Sequence, residues 1–466
     1  MSTDHVPEFP ERSGNTDFTV MWFRRDLRAH DNEALEAACQ AGRCVPLFVL
    51  DPVFLSRSGA PRLAFLFGAL ASLNDSLGGA LVVRTGDPIE VVPAFAEEVN
   101  AAHVYVAKDF APYGRDRDMR VATALRTTHR GLRAAGSPYA VEPGSVSKDD
   151  GSPYAVFTPF YKRWMPLLTP VRESDPQLGR LVPGGTFASD ALPTPPSCEA
   201  SLPEPTEAAA HRRWEWFMAN GLDRYYDDRN MPGIDGSSKL SPYLRFGLLH
   251  PKQLIADLRL DGSSKSHEHF RSELCWREFY ADVLFHQPHT AWENLQTKMD
   301  KMDLDTDASA RERFALWCEG KTGYPVVDAG MRQLLQTGWM HNRVRMITAS
   351  FLVKDLHLPW QWGARHFMNH LVDGDIASNN HGWQWTAGTG TDAAPYFRIF
   401  NPQSQSEKFD PNGDYIRTYV AELADCHGSA IHQPGAGGFP GYLLPMVDHA
   451  VEREVSLARY KAVSGK

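Results

Sequence analysis

Between residues 18 and 145, short β-rich runs alternate with helical ones, and this alternation limits the fold more than any other feature of the chain. FTVMWF, CVPLFVL, ALVVRTG, HVYVAKD and PYAVEP are the β-rich runs, separated by helical stretches such as NEALEAACQAG, LAFLFGALASLNDSLGG and RVATALRTTHRGLRAAG. The order predicts a doubly wound parallel sheet with helices on both faces. The turn after the first strand is FRRDLRAHDN and contains no GxGxxG, which argues against a dinucleotide held in the Rossmann manner. On pattern alone Arg24, Arg25 and Arg28 form a solvated turn.

From Val146 to Pro205 eleven prolines interrupt every periodicity, so this segment is expected to be a connector wrapping the surface. Its aromatic start, DGSPYAVFTPFYKRW, is expected to lie ordered against the body. After Pro205 strand signals stop. HRRWEWFMANGL, PKQLIADLRL, HFRSELCWREFYADVLFHQ, ARERFALWCEG, DAGMRQLLQTGW and VRMITASFLVKDL are amphipathic helix patterns. The expected organisation is α/β followed by all-α, with a sheet domain over 16–145, a connector over 146–205 and a helical domain over 206–466.

Composition narrows the classes of function. The chain has 466 residues, 42% hydrophobic and 23% charged, and no apolar run nears the roughly 20 residues that span a bilayer. The polar start resembles neither a signal nor a transit peptide, so a cytoplasmic protein is expected. Six scattered cysteines, without a CxxC pair, support neither disulfides nor a metal site. A net charge of −9 weighs mildly against a nucleic-acid partner, although a small basic patch suffices for one.

Chemistry concentrates between Thr337 and Arg417. Five of the twelve tryptophans fall there: Trp339, Trp360, Trp362, Trp383 and Trp385. TGWMHNRVRMITASFLVKDL has helical spacing, and residues two apart on a helix lie roughly 200° around its axis, so Arg343 and Arg345 serve opposite sides. From Asp373 to Trp385, the Gly, Asn and Asp cluster is expected to break any helix, with Trp383 and Trp385 facing different ways. Two readings stay open on these grounds: a Trp-rich core with satisfied polar groups, or a buried aromatic cofactor beside a planar substrate.

The strings MWFRRDLRAHDN, TGWMHNR, NNHGWQW and EKFDPNGDYIR resemble the photolyase/cryptochrome family, and TGWMHNR with NNHGWQW is similar to its class I cyclobutane-pyrimidine-dimer photolyases. The likeness covers nearly the whole chain. It implies light-driven repair of DNA containing pyrimidine dimers by a monomer, with a signalling cryptochrome or a (6-4) photolyase as alternatives. It also implies FAD, folded within the helical domain and contacted by Tyr225, Ser237, Ser238, Lys239, Leu240, Ser241, Phe270, Arg277, Arg345, Asp373, Asp375 and Asn379. Many members have Thr and Arg where this chain has Ser237 and Lys239. Lesion contacts are implied for Arg229, Glu273, Trp276, Asn342, Arg343, Met346 and Trp385, with Glu273, Asn342 and Asn379 catalytic. The bland alternative for Glu273 is an ion pair with Arg277, four residues on. His341 is followed by Asn where (6-4) enzymes place a His pair, which favours cyclobutane dimers.

AKDFAPYGRDRDMR is similar to members that use an 8-hydroxy-5-deazaflavin antenna rather than methenyltetrahydrofolate. Arg25, Phe48, Asp51 and Asp109 are then the implied lining, and Ala111 stands where such members carry an acidic residue. The family's electron relay of three tryptophans is matched by Trp383 and Trp360 only. Between Glu293 and Leu316 the chain has neither Trp nor Tyr, and Asp307 stands near the third place. Trp362 offers a detour.

Overall fold

The computed structural model describes residues 17–170, 176–258, 264–391, 398–434 and 439–464. The polar N-terminal run, the end of PKQLIADLRL, residues 392–397 and residues 435–438 of GAGGFPG lie outside them.

Strands β1 (Phe18–Phe23), β2 (Arg43–Leu50), β3 (Val82–Thr85), β4 (His103–Val106) and β5 (Gly131–Ala134) form one parallel sheet in the order β3-β2-β1-β4-β5. β1 pairs with β2 from Phe18↔Arg43 to Phe23↔Phe48, and with β4 through Val20↔Val104 and Met21↔Tyr105. Alternate side chains of a strand face opposite ways. Met21 and Phe23 therefore pack with the helices Glu33–Ala41 and Ala60–Ser76, whereas Val20 and Trp22 pack with Pro88–Glu98 and Pro112–Thr127. Burial on both faces explains why β1 is apolar apart from Thr19, whose hydroxyl donates to Ala38 O at 2.9 Å. Strand order reverses at β1, which opens a crevice at the carboxyl ends of the strands.

The fifth strand is not PYAVEP. It is Gly131–Ala134, which the helical pattern had absorbed. The reason lies across the molecule: the N–H groups of Ala140 and Val141 donate to the buried carboxylate of Glu278, which also accepts from Trp164 Nε1 at 2.7 Å. Those donors are therefore unavailable to a sheet ladder. The same carboxylate anchors the connector, whose helix Phe157–Trp164 buries Phe157, Phe160 and Trp164.

Beyond Pro205 the described elements are all helical. The Met21 and Phe23 face of the sheet shares one core with Trp214, Phe217, Phe270 and Phe279, so sheet and helices are packed as one body. A second core holds Trp317, Ile347, Trp360, Phe367, Trp383 and Tyr415. The expected break between Asp373 and Trp385 is also corrected, because Ile376–Ala387 is an α-helix capped by Asp375, which accepts from Ala377 N and Ser378 N. Its asparagines are tolerated because they are tied outside the helix: Asn379 Nδ2 donates to Ala364 O at 3.1 Å, and Asn380 Nδ2 donates to Ala291 O.

Candidate functional site

A cavity of about 470 Å³ opens between the helices Lys265–His286, Asn342–Ser350 and Ile376–Ala387. Of the residues expected at a flavin, Tyr225, Ser238, Leu240, Ser241, Phe270, Arg277, Arg345, Asp373, Asp375 and Asn379 border it. So do all those expected at a lesion: Arg229, Glu273, Trp276, Asn342, Arg343, Met346 and Trp385. Ser237 and Lys239 line an adjoining recess of about 130 Å³ instead, which shares Ser238, Leu240, Ser241 and Asn342 with the cavity.

One end of the cavity is ionic. Arg345 Nη2 lies 2.8 Å from Asp373 Oδ2 and its Nε donates to Met340 O. Arg25 Nη2, from the turn after β1, lies 2.7 Å from Asp375 Oδ2, with Arg245 Nε at 3.8 Å. Burial pushes the Asp375 carboxyl up, but Arg25, Arg245 and Arg277 outweigh it and hold the group far below the usual carboxylate range. Burial lowers Arg245 to about 9 and Arg62 to about 10, the latter facing both Asp375 and Asp373. Five guanidinium groups, those of Arg25, Arg62, Arg245, Arg277 and Arg345, thus act on two carboxylates, a surplus that favours an anion. Arg245 and Arg62 were not singled out from the sequence, although Arg245 stands in SSKLSPYLRFG beside the serines that were.

Next to this end, Lys239 has φ +52° and Leu240 is right-handed, a turn that aims successive backbone N–H groups to one side, as in anion-binding loops. Arg213 fixes the loop by donating to Ser237 O and Ser238 O at 2.6 and 2.8 Å, and Asp235 pairs with both Arg213 and Lys239 at 2.9 Å. Trp339 Nε1 donates to Ser241 Oγ at 3.2 Å. Both donors of the Asn379 amide are taken, by Ala364 O and Asn380 Oδ1, which leaves its oxygen for the cavity.

The other end is aromatic. Glu273 pairs with Arg229 at 2.6 Å, so its expected bland role is absent; Arg277 donates to Pro138 O and Leu244 O instead. Arg343 holds Asn230 Oδ1 at 2.7 Å and lies over the Phe409 ring, while Arg345 pairs with Asp373, so the two arginines reach different partners around one cavity. Trp276 stacks on Phe157, with centroids 3.8 Å apart and planes 7° apart. His341 caps the Asn342–Ser350 helix; burial, then Arg343 and Arg345, lower it to about 3, so it is neutral.

Trp383 and Trp360 are buried and Trp362 half-buried. The Trp383 ring lies where a Cβ on Gly363 would fall 2.1 Å from its Cη2, so only glycine lets the Trp360–His370 helix approach. Trp360 Nε1 donates to Asn294 Oδ1 at 2.9 Å. Asp307 does not substitute for a ring: it caps the Ala308–Cys318 helix by accepting from Ala310 N at 2.8 Å. Trp317, in the quoted WCEG string but not assigned a role, lies 6.1 Å from Trp383; it is 5.8 Å from Phe314, which is 5.4 Å from Trp362.

A smaller cavity of about 110 Å³ sits at the carboxyl ends of β1 and β2, bordered by Arg25, Phe48, Asp51 and Asp109. Asp51 accepts from Tyr113 Oη at 2.6 Å, and Arg117 lies 3.3 Å from Asp109. Gly114 makes room for the Asp109 carboxylate, which a Cβ there would meet at 2.2 Å. Ala111 begins the Pro112–Thr127 helix without a side-chain cap. Arg62 and Arg245 line this cavity and, through Asp373 and Asp375, act on the larger one.

Residues 19–177 match the family model "DNA photolyase", and residues 270–462 match "FAD binding domain of DNA photolyase". The deoxyribodipyrimidine photo-lyase of Vibrio cholerae is 40% identical, over 96% of this chain and 100% of that relative. This chain belongs to the DNA photolyase family. The Escherichia coli deoxyribodipyrimidine photo-lyase is 38% identical, over 95% of this chain and 98% of the relative. Among solved structures, a class III photolyase from Agrobacterium tumefaciens is 36% identical with a TM-score of 0.87, covering 98% of this chain and 99% of that one. The likeness is thus to the family and does not single out class I. An archaeal photolyase from Sulfolobus tokodaii, solved with two FAD molecules, is 30% identical with a TM-score of 0.84, covering 96% and 100%.

The family's FAD-binding domain makes FAD the group to test against the larger cavity, and this photolyase-family chain fits it. Asp373 Oδ1, on the wall of this cavity, is buried without a hydrogen-bond partner, an arrangement that costs about 1–3 kcal/mol unless a ligand satisfies it. The surplus of guanidinium groups, the N–H-lined turn and the Phe270 and Leu240 walls match an anionic, partly apolar ligand. Among the described residues no cluster suited to a metal ion occurs, and no helix is long and apolar enough to cross a membrane.

Proposed function

We propose that this chain is a deoxyribodipyrimidine photo-lyase that repairs cyclobutane pyrimidine dimers in DNA with light, using FAD in the larger cavity. The observation that carries this is the polarity of that one cavity: guanidinium and carboxylate pairs at one end, Trp276 and Trp385 at the other. Reduced FAD, when bound, would supply an electron on excitation and recover it once the cyclobutane bonds have opened, so that the repair is redox-neutral.

The chain's own residues do the rest. Arg345 and Asp373, with Asp375 held by Arg25, fix and neutralise the polar end, and the Asn379 oxygen accepts a hydrogen bond there. The turn at Ser238 to Ser241 and the recess holding Ser237 and Lys239 take phosphate. Trp276 and Trp385 stack on bases that have left the duplex. Glu273 is held by Arg229 as a carboxylate, so it takes up a proton as the dimer replaces that pair and then shares it with the dimer's carbonyl as charge arrives; Asn342 and Met346 line the same cavity. Arg229 and Arg343 supply local positive charge for the DNA backbone.

The smaller cavity takes an antenna chromophore. It lies at the strand ends, walled by Arg25, Phe48, Asp51 and Asp109 and closed by Arg245 and Phe246 from the helical part; the AKDFAPYGRDRDMR string supports a deazaflavin there, with a folate as the alternative. The sheet, connector and helical units divide at about residues 145 and 205. The working unit is a monomer, and six free cysteines are in keeping with a reducing cytoplasm.

The deciding experiment illuminates the reduced holoprotein with an oligonucleotide carrying one thymine dimer and counts restored thymines. Repair in light and none in darkness is expected. Absence of light-dependent repair removes the proposal, and repair confined to a (6-4) lesion reassigns the substrate.

A further inference from the structure

Among the described residues, the connector meets the lesion-facing Trp276 through the ring of Phe157. Phe157 begins the helix Phe157–Trp164, is 8% exposed, and lies parallel to Trp276 at 3.8 Å. Trp276 belongs to the Lys265–His286 helix and borders the larger cavity. A ring has two faces. Phe157 occupies one, and Phe279 and Tyr280 meet the indole at 78° and 47°, so a flipped base has one face left to stack on.

The supporting ring is itself held from behind. Phe157 meets Phe279 edge-on at 5.8 Å, Phe160 lies 5.1 Å from Phe279, and Trp164 Nε1 is tied to the buried Glu278 at 2.7 Å. Glu278 also binds the N–H groups of Ala140 and Val141. The sheet-proximal segment, the connector helix and the lesion-facing helix therefore meet at one carboxylate, two residues along the chain from Trp276. Removing Phe157 would free one face of the indole and let it rotate off the plane that a base must meet.

We propose that Phe157 is a positioning residue for lesion recognition: it fixes the Trp276 plane so that the stack continues from the connector through Trp276 to the flipped base. This rests on the assignment of Trp276 to the lesion.

The test compares Phe157→Ala, Phe157→Tyr and Trp276→Ala in the holoprotein. Binding is measured with a labelled oligonucleotide carrying a thymine dimer and with its undamaged counterpart, and repair yield per absorbed photon is read at saturating DNA. Phe157→Ala is expected to weaken dimer binding roughly three- to tenfold, the range for loss of an aromatic pair, with Phe157→Tyr restoring it. Undamaged-DNA binding, flavin content and yield at saturation should stay as in the wild type. A general packing defect would instead change flavin content and both oligonucleotides together, and that outcome overturns the proposal. Wild-type dimer affinity in Phe157→Ala alongside a deficit in Trp276→Ala also overturns it while leaving the lesion site intact. No deficit in Trp276→Ala removes the lesion assignment and Phe157 with it.

Discussion

Arg25 and Asp375, 350 positions apart in the chain, form an ion pair of 2.7 Å that joins the wall of the smaller cavity to the polar end of the larger one. Neither the sheet nor the helices alone contain this contact. Its position makes the pairing of the two halves a condition for a charge-balanced flavin site.

Replacing Arg25 by Gln should therefore weaken the fold as well as the site. A buried carboxylate that loses its partner costs about 3–5 kcal/mol, and Arg245 at 3.8 Å offsets part of this, so about 2–4 kcal/mol is expected. The folded-state pKa of Asp375 is depressed, so its contribution is present above the unfolded value of about 3.9 and is lost as pH falls through the folded value. In Arg25→Gln that loss should begin at higher pH. Thermal melting between pH 3 and 7, with flavin content read by absorbance, checks both points. An unchanged midpoint at neutral pH would show that the pair contributes nothing.

Glu273 and Trp276 border the same end of the cavity and should fail differently. Trp276→Ala removes a stacking face and should cost about 1–3 kcal/mol of dimer affinity. Glu273→Ala leaves Arg229 without its carboxylate and should mainly lower repair yield per photon at saturating DNA. Titration with a dimer oligonucleotide, followed by yield at saturation, separates the two. An unchanged yield in Glu273→Ala would exclude proton sharing by this residue.

Several features were legible in the sequence because they are local. The alternation that fixed a parallel sheet, the i, i+2 arginines and the serine run each depend on near neighbours, and the structure places them at the sheet, on different partners and at the cavity. PYAVEP failed because its backbone donors are claimed by Glu278, about 138 positions away. Ile376–Ala387 was mistaken for a break because Asn379 and Asn380 are anchored by Ala364 and Ala291, partners that no window contains. Long-range pairing likewise decided Glu273, whose helical neighbour Arg277 was the nearer candidate and Arg229 the actual one.

His341 gives a pH dependence of definite sign. Its folded pKa is lowered to about 3 by burial and by the nearby arginines, against an ordinary value of about 6.5. The neutral ring caps its helix by accepting from Arg343 N, so its stabilisation is complete above about pH 6.5 and is lost as pH falls toward about 3. His341→Asn supplies a cap without a titrating ring. Its melting temperature should change less between pH 7 and 4 than that of the wild type. Equal slopes would place the pH sensitivity elsewhere, in the buried rings of His250 and His381 first.

In the three-tryptophan relay that the family resemblance implies, Asp307, a helix cap, stands in sequence near the place of the third indole, so electron flow from Trp383 to the surface would use other rings. Ring contacts run from Trp383 to Trp317 at 6.1 Å, on to Phe314 at 5.8 Å, and to half-buried Trp362 at 5.4 Å. Arg311 lies over the Trp362 ring at 5.4 Å, a neighbour that disfavours a cation there and should shorten its life. Repair by pre-reduced protein should then be normal, while light-driven loading of the oxidised protein should be slow. Transient absorption can follow the tryptophan radical in the wild type, in Trp362→Phe and in Trp317→Phe. Loss of the longer-lived signal in both variants is the outcome expected of a detour through these rings. A signal that survives Trp362→Phe excludes Trp362 as its terminus.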